Sequence, residues 1–188
     1  WGTTFFMLWG FYMLWVIRGE ERETLRRIAI VVIAVQLAMA LGYAVARGPL
    51  AWWNGRPARS TFPGAEISAT INQIWAEHLP GIPLRVVASD TWLGGNIALN
   101  SGVDVQVFIN GRADESPWLD AEQAVECGLL VVYSRVTRRG GEPAPELVAL
   151  YERARYSGVA EQRWSSQRSP IIDLNWAILP PTARCTTR

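Results

Sequence analysis

The 188 residues carry a formal net charge of +1, use arginine and no lysine, and are 49 % hydrophobic. That average hides a division: residues 1–17 and 28–46 contain no charged side chain, whereas everything after Arg47 is mixed and polar. From Ser60 onward eleven Arg stand against fourteen Asp plus Glu, a mildly acidic balance that argues against nucleic acid as a partner, since such binding needs a basic footprint.

In chain order, the first element is the apolar run 1–17 (WGTTFFMLWGFYMLWVI), followed by the charged link RGEERETLRR and a second run, 28–46. Nineteen helical residues reach about 29 Å at about 1.5 Å each, the thickness of a hydrocarbon core. The two runs therefore predict a membrane hairpin, and the chain's start at Trp1 rather than a methionine sets the expectation that its true N-terminus lies upstream. A cleaved signal peptide fits poorly, because it has one shorter apolar stretch after a basic start. A buried hairpin of a soluble protein fits poorly too, because uncharged runs this long read as spans. Ala34, Ala38 and Gly42 recur at steps of four, a small-residue stripe of the kind that lets helices pack closely in lipid. Gln36 sits mid-span, where an unpaired amide is costly. Four Arg in the link (Arg18, Arg22, Arg26, Arg27) against three after the second run (Arg47, Arg56, Arg59) favour a cytoplasmic link and an extracytoplasmic domain. Trp52 and Trp53 fall where indoles favour the headgroup layer.

Residues 52–63 read as a polar, turn-rich exit. Ile67, Ile71, Ile74 and Trp75 then space a helix over 64–79. Leu84–Ala88 predicts a buried strand, and Ser89 or Asp90 can cap a helix through Asn100. Val103–Ile109 alternates like a strand and ends in an Asn-Gly turn. A helix near 118–127, a strand at Leu129–Tyr133, a helix over 145–155 with Pro near its start, and strands near 159–164 and 171–179 complete the pattern. The expected fold is a membrane helical hairpin followed by a soluble α/β domain, a three-layer, mostly parallel sheet flanked by helices. The expected boundaries are 1–50 for the spans, 51–63 for an interfacial linker, 64–182 for the α/β domain and 183–188 for a tail.

The stretch 89–100 (SDTWLGGNIALN) holds most of the chemistry. It follows a strand, where open α/β sheets commonly bind ligands, and offers Asp90 and Asn96 for hydroxyls and Trp92 for stacking on a sugar. The same residues also read as a helix cap, a core indole and a glycine pair for close packing, and a capping acid is the commoner use. Trp75, Trp92, Trp118, Trp164 and Trp176 read as core more readily than as carbohydrate platforms. His78 reads as a helix-end residue, since a lone His lacks the partners of a triad. Asp120 and Glu122 suit a helix start. Nucleophile-elbow, Walker-loop and Asp-x-Asp motifs are absent from the polar part. Cys127 and Cys185 lack metal-ligand spacing; they are either two separate thiols or, in an oxidising compartment, a disulfide.

Four stretches, RSTFPG (59–64), PLRVVASDTWLGGNIALNS (83–101), SPWLD (116–120) and IDLNWAILPP (172–181), together resemble the C-terminal end of bacterial family 39-type glycosyltransferases. These are the multi-spanning enzymes related to protein O-mannosyltransferases and to the aminoarabinose transferase of lipid A. The pattern resembled is close to R-x-x-F-P-G, P-L-x-x-V-x-G-D-x-W-L-A-G-N, P-W-I-D and W-x-x-x-P-P; this chain has Ser89 for the Gly and Gly94 for the Ala. The resemblance implies sugar transfer from a polyprenyl-phosphate donor to a periplasmic lipid, glycan or protein, by a multi-pass protein of the bacterial inner membrane with its soluble domain in the periplasm. Implied partners are the bilayer, the lipid-linked sugar and N-terminal helices of the same protein. The catalytic acid of such enzymes lies in the first periplasmic loop, so no catalytic residue carries over to this chain, which is expected to be inactive alone. Arg59, Asp90, Trp92 and Asn96 are the candidate ligand-binding residues. No cofactor is evident, and a divalent metal in the N-terminal part stays open. The rival expectation is a membrane-anchored periplasmic binding or scaffolding module without catalysis.

Overall fold

The computed structural model describes Tyr12 and residues 22–102, 104–137 and 141–182. Apart from Tyr12, the first apolar run therefore lies outside the described residues, as do Cys185 and the tail from 183. The chain divides after Arg47 into two compact units.

The first unit contributes α1 (Arg22–Arg47), with Glu23 pairing Arg26 and Arg27 on its opening turn. An 18-residue window within Arg26–Trp53 has a mean hydropathy of 2.4. Twenty-six residues extend about 39 Å at about 1.5 Å per residue, so α1 is long and apolar enough to cross a bilayer. Its Leu37, Met39, Leu41 and Tyr43 are all at least 65 % exposed, and among the described residues nothing stands within 4 Å of where a Cβ on Gly42 would lie. The small-residue stripe and Gln36 belong to this same uncovered surface.

The second unit begins with α2 (Pro49–Trp53) and a 3-10 turn at Arg59–Thr61. It continues as α3 (Gly64–His78), β1 (Val86–Ser89), α4 (Thr91–Asn100), β2 (Gln106–Ile109), α5 (Ala121–Glu126), β3 (Leu129–Tyr133), α6 (Pro145–Glu152), β4 (Tyr156–Arg163) and β5 (Ile171–Leu179). The sheet order is β2-β1-β3-β5-β4. Val86 pairs with Gln106 and Val87 with Leu130 in parallel, whereas Leu129 pairs with Leu179 and Tyr156 with Ile178 in antiparallel.

The sheet is thus mixed, and the expectation of a mostly parallel one is corrected. The reason lies in the connections. Parallel neighbours need a crossover of a dozen or more residues, commonly a helix. Helices join β1 to β2, β2 to β3 and β3 to β4, but residues 164–170 between β4 and β5 are too few. The last strand therefore turns back and fills the gap between β3 and β4.

Strand alternation then divides the core. Val87, Leu130, Val132, Ile172, Leu174 and Ile178 join Ile67, Ile71 and Trp75 of α3 and Leu93 and Ile97 of α4. Val86, Ala88, Leu129, Val131, Ala177 and Leu179 join Ala124 of α5 and Leu147 and Leu150 of α6. Close packing requires two of the glycines. A Cβ on Gly158 would come 2.6 Å from the Trp176 ring, and one on Gly55 (φ +66°) 2.5 Å from the Arg168 backbone.

Candidate functional site

The candidate residues gather at the carboxyl end of β1. Asp90 adopts an extended conformation there and its Oδ1 accepts from the Trp92 and Leu93 amides at 2.9 and 3.0 Å, the geometry of a helix cap. Its Oδ2 is buried without a partner among the described residues, and so is Oγ of Ser89 beside it. Buried polar atoms are nearly always bonded, so two adjacent exceptions mark this strand end.

Trp92 is half-buried. The Arg59 guanidinium carbon lies 4.8 Å from its ring centroid, a cation–π distance. Phe62 meets the same indole edge-on at 5.8 Å and Trp164 at 5.2 Å. Trp164 is buried, and its Nε1 donates to the Ala58 carbonyl at 3.1 Å. The turn that carries Arg59 is therefore held by an indole from the far end of β4. Arg59 itself is exposed and has no carboxylate partner among the described residues.

Asn96 sits differently. Its Nδ2 donates to the Trp92 carbonyl at 2.8 Å, and its Oδ1 is 2.8 Å from the place a Cβ on Gly64 would take. It wedges α4 against the start of α3. Arg59 and Trp92 are thus brought together with Asp90 beside them, while Asn96 serves the helix contact. The sequence reading left out Phe62, although it lies in RSTFPG, and Ser89 as an unbonded hydroxyl, which no sequence signal marks.

Among the core tryptophans expected, Trp75 and Trp164 are buried, Trp92 and Trp176 half-buried, and Trp118 is 57 % exposed. Trp118 is the correction: it sits in an irregular loop, where no periodicity governs burial. His78 donates to or accepts from the chain only locally, with Nδ1 2.8 Å from the Ile74 carbonyl, and packs on Tyr156 and Trp176. Asp120 caps α5 through the Glu122 and Gln123 amides. Cys127 is disulfide-bonded; Cys185, the other cysteine of the chain, lies outside the described residues. No cluster of three or more His, Cys, Asp or Glu able to hold a metal occurs among the described residues.

Fold and site together define a class: an apolar helix of spanning length, followed by a mixed α/β domain with an arginine–indole contact at the carboxyl end of its central parallel strand. No family model matches the chain, and comparisons with curated proteins and with solved structures found no match.

Proposed function

We propose that this chain is the C-terminal part of a polytopic glycosyltransferase of the bacterial inner membrane, and that its α/β domain is a periplasmic cap that positions ligand. The four stretches resembling family 39-type transferases support this reading. The observation that carries it is the Arg59–Trp92 contact beside Asp90, whose second carboxylate oxygen is buried and unbonded. We read the two core clusters on the two faces of the sheet as a three-layer domain.

The transfer breaks the bond between the sugar and the polyprenyl phosphate and passes the sugar to a hydroxyl or similar acceptor. An arginine fork suits the phosphate, which it can bond bidentately. The indole offers a flat apolar face to the sugar, and a cap over the site keeps out water that would hydrolyse the donor. In this reading the catalytic acid lies outside these 188 residues.

The test is reconstitution of the full-length gene product in liposomes with a polyprenyl-phosphate-linked sugar. Arg59→Ala should lower transfer about tenfold or more, in line with roughly 1.5–3 kcal/mol for a charge-assisted hydrogen bond. Unchanged transfer by folded Arg59→Ala and Asp90→Ala variants would sink the ligand-positioning role. The rival reading, a membrane-anchored binding or scaffolding module, draws on the one spanning-length helix described. It predicts that the full-length protein retains ligand and never turns it over.

A further inference from the structure

A second site lies at the other end of the same strands. Val86 opens β1 and Gln106 opens β2, and both line a cleft of about 670 Å³ bounded by α5 and by the exposed indole of Trp118. Four residues at about 3.3 Å each separate the two ends of β1, so this cleft is distinct from the Asp90 site.

A single exposed tryptophan is unremarkable on a protein surface. Here, however, the indole lines a concavity together with planar polar groups: Arg85, Asp104, Gln106 and Asp120. Asp120 Oδ1 is committed to the α5 amides at 3.1 Å each, which leaves Oδ2 for other work. The walls are set in advance. Thr182 donates its amide to the Glu126 carbonyl at 2.8 Å. Gly128 (φ +88°) holds Pro181 where a Cβ would approach within 2.9 Å, and Cys127 between them is disulfide-bonded. A preformed cleft spares a ligand the cost of ordering it.

We propose that this cleft binds a neutral saccharide of one or two rings. A pyranose has an apolar face of C–H groups that packs on an indole, while its hydroxyls point outward in the ring plane. There each hydroxyl needs both donors and acceptors. The guanidinium only donates, the carboxylates only accept, and the Gln106 amide does both. An anion is disfavoured by two carboxylates against one guanidinium. A wholly apolar ligand would strand those polar groups without water. The volume lies inside the range of about 300–1,000 Å³ typical of small-molecule sites. This inference stands on the cleft alone and needs no transferase activity.

The experiment places the full chain, labelled with 5-fluorotryptophan, in nanodiscs of phosphatidylethanolamine and phosphatidylglycerol, free of sugar-headed detergent. Cellobiose, maltose and diacetylchitobiose are titrated while fluorine NMR follows the Trp118 resonance, assigned from the Trp118→Phe variant. At least one sugar should shift that resonance saturably with a Kd of about 1 mM, and saturation should transfer from the protein to its ring protons. Trp118→Ala should abolish the transfer, and Gln106→Ala should weaken binding about tenfold or more. Because both side chains are exposed, an unchanged unfolding midpoint will show that the variants fold. Absence of a saturable shift with all three sugars overturns the proposal. So does a shift that survives Gln106→Ala unaltered, or one produced by choline or an acidic peptide in preference to the sugars.

Discussion

Ser89 and Gly94, two of the positions at which the chain differs from the pattern quoted above, lie side by side. A Cβ added to Gly94 would lie 3.1 Å from Ser89 Cβ and 2.7 Å from Val107 Cγ1. Gly94→Ala gains roughly 1 kcal/mol of helix propensity. Against this, Val107 is β-branched and cannot swing aside freely, so overpacking costs about 1–3 kcal/mol. The single variant should therefore be destabilised by up to about 2 kcal/mol. Ser89→Gly removes both the crowding Cβ and an unbonded buried hydroxyl, a relief of about 1–3 kcal/mol. It also introduces a flexible residue into a strand, at about 0.5–1 kcal/mol. In the Ser89→Gly background Gly94→Ala keeps only the Val107 conflict, so the pair should be more stable than the sum of the singles by at least 0.5 kcal/mol or so. Urea unfolding of the full chain in nanodiscs, followed by circular dichroism, measures the cycle. Additivity within about 0.3 kcal/mol, or a stabilising Gly94→Ala single, would refute the reasoning.

Further outcomes follow from individual contacts. Trp164→Phe keeps the ring that faces Phe62 but loses the bond to the Ala58 carbonyl; unfolding should show a loss of about 1 kcal/mol or more. Gly158→Ala drives a methyl into the Trp176 ring and should cost about 1–3 kcal/mol, seen in the same assay. The Asp114 carboxyl is held below its ordinary value near 3.8 by the hydrogen bond from Arg112. A depressed carboxylate contributes stability above its unfolded pKa and loses it as pH falls through the folded one. Carboxyl-carbon NMR should accordingly place the Asp114 titration below 3.8, and Arg112→Ala should move it up. Intact mass under non-reducing, alkylating conditions should find the Cys127 thiol unavailable.

Much of the local structure was legible because it is set by neighbours in sequence. The spacing Ile67, Ile71, Trp75 marks one face of α3, the run Leu129–Tyr133 is β3 itself, and Asp90 does cap α4. The site was legible in part. Asp90 and Trp92 stand out as an acid and an indole after a strand, but the contact between Arg59 and Trp92 joins residues more than thirty positions apart. Asn96 has the right chemistry for a ligand, yet its amide is taken up by its own helix. The burial of Trp164 and the exposure of Trp118 could not be told apart from composition, since both lie in irregular segments.

By itself, the sequence determined the charge-free run that becomes α1, the periods that become helices and strands, and the cap at Asp90, because each depends on the order of side chains along a few turns. Only the tertiary structure decided where β5 enters the sheet. That choice turns on the length of one connection and on which gap between β3 and β4 was left to fill. From it follow the mixed sheet and the place of the indole after β4 that bonds the turn carrying Arg59.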